Sequence, residues 1–229
     1  MEKGKEIIVS KSNEAVLVID ENLLYGFSEL FKFDSIDFEV QGITKNSKDL
    51  DWLSECLKRA YFMPRGLVEE NSKYKQIIPY IILRSYRKFF VYERMGSETR
   101  LTGNYSIGIG GHVNICDFDL DGLGITLANA ARREFFEEIG TVGSENSLKL
   151  LISSSLSPFG VLYAGSSKSS MVNKVHLGIV YMVNFSDQES EGVYLKDEGK
   201  KLSWMTKKEL LEKNDKLELW SQLVVGKCL

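Results

Sequence analysis

The sequence predicts an α+β fold, a sandwich with helices on both sides of a mixed sheet (α/β/α) and an N-terminal extension. Three observations carry this expectation. Apolar, β-branched runs recur in series from Gln76 onward, one strongly marked helix interrupts them at Thr126–Ile139, and two shorter helical patterns follow near the end. With 229 residues, 43% of them hydrophobic, the chain has ample material for a packed core. The expected division is an extension over residues 1–70, packed on or covering the core, and one domain over residues 71–229.

Ala15–Ile19 reads as a strand and Leu50–Tyr61 as a helix, with no clear periodicity between them. Gln76–Leu83 has the continuous apolar character of a buried strand. Lys88–Glu93 is its hairpin partner across the polar turn Ser85–Arg87. Tyr105–Ile109 is a short strand ended by Gly110-Gly111. After an acidic, glycine-bearing loop, Cys116–Gly124, comes the Thr126–Ile139 helix, which Gly140 is expected to stop. Leu148–Ser155, Gly160–Ala164 and Val175–Phe185 are further strand candidates, and Lys201–Trp204 a last short one. Thr206 N-caps a helix through Leu211, with Glu209 completing a capping box. A final helix is expected over Leu217–Val225.

Composition narrows the function. A formal net charge of −3 and a pI near 5.6 argue against wrapping long nucleic acid. They suit a small phosphorylated ligand, whose charge a metal and a few local bases can meet. Three cysteines, Cys56, Cys116 and Cys228, form no CxxC pair, so a disulfide framework or zinc site is not expected. No signal-peptide core or apolar run of ~20 residues is present, and a cytoplasmic protein is expected, with no membrane partner.

The chemistry concentrates on Arg133, Glu134, Glu137 and Glu138. On a helix the three glutamates stand at i, i+3 and i+4 and project to one side. Magnesium and manganese take oxygen ligands of this kind. Arg133 lies one turn from Glu137 and is expected to hold it. A solvated acidic face is the plain alternative for such a charge run. Two details favour function. The apolar stripe is Leu127, Ala131, Phe135 and Ile139, and Glu138 and Glu134 border it, where unpaired like charges are costly. The Gly110-Gly111 pair, just upstream, permits close backbone approach and can present a carbonyl to a metal.

The stretch Gly124–Thr141, GITLANAARREFFEEIGT, resembles the Nudix box, a glycine and a spaced glutamate followed by R-E-x-x-E-E-x-G. QIIPYIIL, SIGIGGHVN and KVHLGIVY further resemble a bacterial branch of that superfamily usually described only as predicted phosphoesterases. The resemblance implies a Nudix-type α/β/α sandwich that hydrolyses a pyrophosphate bond in a nucleoside diphosphate linked to another group. It implies one or more magnesium or manganese ions on Glu134, Glu137 and Glu138, with the Gly110 carbonyl as a further ligand and Arg133 orienting Glu137.

Two positions depart from the pattern. Ile125 stands where the spaced glutamate belongs, and Asn114 stands where a glutamate is common, in a lengthened loop. Asp117, Asp119 and Asp121 alternate in that loop; they either replace the missing carboxylate charge or keep the loop soluble, and the second reading is the better prior. Arg94, Arg100 and His112 are the candidate substrate contacts, each with a structural alternative: exposed hairpin arginines and a histidine bonding a loop carbonyl. His176 reads as a strand or cleft residue. Glu189, Glu191, Asp197 and Glu198 are candidates for the catalytic base, with surface solvation the better prior. Phe159, Tyr163, Tyr181 and Trp204 default to core packing. Rival readings are a nucleotide-sensing binding protein, motivated by Ile125, and an isoprenoid diphosphate isomerase using Cys116. A homodimer is compatible with all of them.

Overall fold

The computed structural model describes residues 13–24, 42–44, 51, 54–94, 103–142, 145–165, 170–196, 202–227 and 229. Among these, the strands are β1 (Ala15–Asp20), β2 (Gly42–Thr44), β3 (Tyr61–Pro64), β4 (Tyr74–Ser85), β5 (Lys88–Glu93) and β6 (Tyr105–Ser106). They continue with β7 (Gly108–Gly110), β8 (Ile139–Thr141), β9 (Pro158–Tyr163), β10 (His176–Phe185), β11 (Val193–Leu195) and β12 (Leu202–Thr206). The helices are α1 (Glu21–Leu24), α2 (Arg65–Val68), α3 (Leu123–Glu138), α4 (Glu145–Ser155), α5 (Met171–Val175), α6 (Asp187–Glu191), α7 (Lys207–Glu212) and α8 (Leu219–Lys227).

The long strand β4 organises one mixed sheet. One edge pairs in parallel with β10, from Gln76↔His176 to Ser85↔Phe185. The other edge is shared by three antiparallel partners in succession: β1 at Tyr74–Gln76, β7 at Tyr80–Ile82 and β5 at Arg84–Ser85. The sheet therefore branches along β4, and the glycine pair at the end of β7 lies at the branch toward β1. Both faces of β4 are buried, which explains its unbroken apolar run. Ile77, Ile81 and Leu83 meet Leu127, Ala131 and Phe135 of α3 and Ile152 of α4. Tyr80 and Ile82 on the opposite face meet Leu210 of α7 and Val224 and Val225 of α8. Helices thus cover both faces.

Residues from the expected extension enter the same sheet. β1 pairs with both β3 and β4, β2 pairs with β9, and Leu17 and Ile19 belong to the α3-side core.

Four element expectations need correction. Leu148–Ser155 is helical: Leu148 and Ile152, four apart, are buried on one side, so helical periodicity wins over apolar content. The Leu50–Tyr61 helix is cut short: positions 54–57 are helical and Tyr61 already opens β3, drawn into register by β1. The Tyr105–Ile109 strand breaks at Ile107, where the chain changes partner from β5 to β4. Gly140 does not stop α3. The helix ends at Glu138, Ile139 is already extended, and Gly140 lies inside β8, paired with β11. Its lack of a side chain makes room for Tyr194, whose ring would stand 2.3 Å from an added Cβ. The end of α3 is capped instead by the Lys196 amide, which donates to the Glu138 carbonyl at 2.9 Å. No helix among the described residues is long and apolar enough to cross a membrane.

Candidate functional site

α3 buries Leu127, Ala131 and Phe135 against the sheet, and this fixes where its glutamates stand. Glu134 borders the stripe with its side chain 12% exposed, whereas Glu137 is 57% exposed. The Glu134 carboxylate rests directly on Gly111: a Cβ there would lie 2.2 Å from Glu134 Cδ. Any larger residue at 111 would displace the carboxylate. Burial pushes the Glu134 pKa up, with Arg133 opposing the shift. Gly110 is an exposed residue at the end of β7, opposite Tyr80.

Arg133 connects this group: the expected contact with Glu137 is present, but it is the weakest of its bonds. Its Nε and Nη2 donate to the two carboxylate oxygens of Asp117 at 2.9 and 2.8 Å, a bidentate pair. Nη1 donates to Glu134 at 2.7 Å, and Nη2 also donates to the His112 carbonyl at 2.8 Å. Glu137 is reached only at 3.4 Å. The charge that holds Arg133 protonated comes first from Asp117.

Asp117 also accepts from the Asn114 amide at 2.8 Å and is 4% exposed. The reading of all three loop aspartates as solubilising charges is therefore wrong at Asp117. Locally it closes a capping box with Asn114, and its burial is completed by a partner sixteen residues ahead. The Asn114 side chain donates to Glu14 at 2.7 Å and ties the loop to the residue that precedes β1.

Behind the glycine pair, on the α8 side of the sheet, lies a cavity of about 450 Å³. Gly110, Gly111, His112, His176 and Arg94 line it, together with four residues assigned no role from sequence: Arg65, Tyr80, Glu218 and Trp220. Arg94 donates to Glu218 at 3.0 Å. That buried carboxylate also accepts from Tyr80 at 3.2 Å and from Ser106 at 2.5 Å. Arg65 is held by Glu69 through bonds of 2.7 and 3.1 Å. The His112 and His176 rings meet edge to face, 5.4 Å between centroids. Burial pushes the His112 pKa down to about 2, with His176, Arg65 and Arg133 adding to the effect. His112 is thus a neutral ring at ordinary pH.

Other candidates fall elsewhere. Arg100, Asp197 and Glu198 lie outside the described residues. Glu189 completes the capping box of α6 with Ser186, whose hydrogen bonds lower its pKa. Tyr163 and Tyr181 are buried in the core, and Trp204 packs edge-on against Phe90 at 5.5 Å. Cys116 is exposed and does not line the cavity. Among the described residues, no three His, Cys, Asp or Glu side chains are gathered closely enough to share an ion. Glu134 and, more distantly, Glu137 are engaged by Arg133 instead.

No protein-family model matches the chain. Protein YmaB of Bacillus subtilis (strain 168) is 29% identical over 224 residues, spanning 95% of this chain and 98% of that protein. The crystal structure of Tm1382, described as a candidate Nudix hydrolase, is similar with a TM-score of 0.64 at 22% identity. That likeness covers 93% of this chain and 97% of Tm1382. A bifunctional NMN adenylyltransferase/ADP ribose pyrophosphatase from Francisella tularensis, complexed with AMP and a manganese ion, gives a TM-score of 0.46 at 13% identity. That match covers 66% of this chain and 40% of the longer protein. The fold is therefore the Nudix-type α/β/α sandwich that the box in α3 implied.

Proposed function

We propose that the protein is a metal-dependent pyrophosphohydrolase acting on a nucleoside diphosphate linked to another group. The observation that carries this reading is the Glu134 carboxylate seated against Gly111, on a helix that also bears Glu137 and Glu138. A buried carboxylate beside further glutamates is an unfavourable place for negative charge; Arg133 relieves part of the cost and a metal ion would relieve more. The donors are all oxygen, which fits magnesium or manganese rather than a thiophilic metal. Glu134, Glu137, Glu138 and the Gly110 carbonyl would hold the ion once Glu134 and Glu137 turn from Arg133 and the three carboxylates draw together. When bound, it would neutralise the diphosphate and lower the pKa of the attacking water. In the reaction a water oxygen forms a bond to phosphorus and loses a proton to solvent, the bridging P–O bond breaks, and the departing phosphate carries the electron pair.

Arg133 serves this chemistry by position. It fixes Glu134 and the His112 carbonyl together, so helix and glycine pair keep one spacing. The test is metal-dependent phosphate release from nucleoside triphosphates, sugar nucleotides, dinucleoside polyphosphates, ADP-ribose and NADH. Turnover is expected to vanish with chelator and to fall by about 10²–10³-fold in Glu138→Gln. Unchanged turnover in that variant removes Glu138 from the ligand set. Saturable nucleotide binding without any product favours the sensing alternative, which the exposed Ile125 at the start of α3 motivates.

A further inference from the structure

Building on the ligand set of the hydrolase reading, we propose that the Arg133 guanidinium is a built-in counter-ion of the glutamate cluster, which the metal displaces. Asp117 is the positioning residue that keeps the guanidinium in place during that exchange.

The geometry divides the guanidinium between two tasks. Nε and Nη2 donate to the two oxygens of Asp117 at 2.9 and 2.8 Å, and Nη2 donates again to the His112 carbonyl at 2.8 Å. Neither acceptor belongs to the proposed ligand set. Nη1 faces the glutamates, at 2.7 Å from Glu134 and 3.4 Å from Glu137. The group is planar and rigid, so anchoring one edge fixes where the other points. An ion arriving at Glu134 and Glu137 therefore takes over the contacts of one nitrogen, while the other two stay bonded.

The charges fit such an exchange. One positive charge stands among the carboxylates of Asp117, Glu134 and Glu137. The group is left with an excess of negative charge that a divalent cation balances. Once the ion holds the glutamates, Arg133 and Asp117 remain as a neutral pair. Without the Asp117 carboxylate, the ion would have to strip a half-buried guanidinium of its counter-charge, which is costly.

The anchor is itself held from several directions. Asp117 is 4% exposed and accepts from the Asn114 amide at 2.8 Å, and the Asn114 side chain is bonded to Glu14. The Asp117 carbonyl accepts from the Asn129 side chain of α3 at 3.3 Å. The Asp119 amide donates to Thr126 Oγ1 at 3.0 Å, a second tie between loop and helix. Asp117 thus supplies α3 with a carboxylate where Ile125 provides none.

The experiment measures the manganese(II) affinity of the full chain by electron paramagnetic resonance, without nucleotide. Wild type is compared with Arg133→Gln, Asp117→Asn and the double variant. Displacement of a resident cation predicts opposite signs. Kd is expected to fall by about fivefold or more in Arg133→Gln. It is expected to rise by about tenfold or more in Asp117→Asn. Because Asp117 acts through Arg133, adding Asp117→Asn to Arg133→Gln should change Kd by less than about twofold. Equal or weaker binding in Arg133→Gln, or a full Asp117→Asn effect in the double variant, overturns the proposal, as does absence of binding by every chain. Should the variants fail to fold by circular dichroism, a magnesium titration of wild type gives the test. The Arg133 Nε–H resonance is expected to keep its position and its exchange protection at saturation, and loss of either overturns the proposal. Manganese binding with the expected signs, but no hydrolysis of any nucleotide, keeps the displaced guanidinium and removes the hydrolase reading. Metal-dependent hydrolysis with weaker manganese binding in Arg133→Gln does the reverse.

Discussion

Asp117 and His112 show how single side chains carry the site. Asp117 is nearly fully buried, satisfies two Arg133 nitrogens and holds the Asn114 amide. Asp117→Asn is expected to destabilise the fold by about 2–3 kcal/mol, since a half-buried guanidinium loses its principal counter-charge. Asp119→Asn, at a carboxylate that among the described residues receives the Asp121 amide alone, is the control and is expected to cost far less. Denaturant midpoints of the two variants give the comparison. For His112 the folded pKa, about 2, lies below the unfolded value of about 6.5. Between those values the unfolded chain binds a proton that the folded chain refuses. The contribution is therefore fully present above about pH 6.5 and is lost as pH falls, by up to about 1.4 kcal/mol per unit. His112→Gln should flatten the fall in unfolding free energy between about pH 7 and about pH 5. An unchanged slope would mean that other groups govern it.

Individual elements were legible where their signals are local. The Thr206–Glu209 capping box is reciprocal in the structure, Glu209 accepting from the Thr206 amide at 2.7 Å. Thr206→Ala should cost about 1 kcal/mol in unfolding free energy. Ser186 and Glu189 present the same spacing and cap α6, so that helix was readable by the same rule. α3 followed from its stripe, but its end did not. Ile139 and Gly140 leave the helix because β11 offers them a strand partner, and that partner lies more than fifty residues on. β3 is a similar case, since its residues are extended through pairing with β1.

At the scale of the molecule, the chain before residue 71 is woven into the sheet through β1, β2 and β3. It also supplies Arg65 to the cavity and Glu14 to the loop that holds Asp117. A chain lacking residues 1–70 would lose Leu17 and Ile19 from the core and bare an edge of β4. It is expected to unfold non-cooperatively or to aggregate, as scanning calorimetry and size-exclusion chromatography would report. A truncated chain that melts cooperatively near the full-length temperature would show that the two parts are independent.

The sequence by itself determined the fold class, the glutamate-bearing helix with its buried stripe, and the glycine pair beside it. These rest on periodicity and spacing within a dozen or so residues, which the backbone geometry of helix and strand translates directly into position. Only the tertiary structure decided which carboxylate holds Arg133, where α3 ends, and that a cavity with balanced charge lies behind Gly110-Gly111. Each depends on groups distant along the chain, such as Arg94 and Glu218, 124 residues apart, whose meeting is set by the packing of layers rather than by any local pattern.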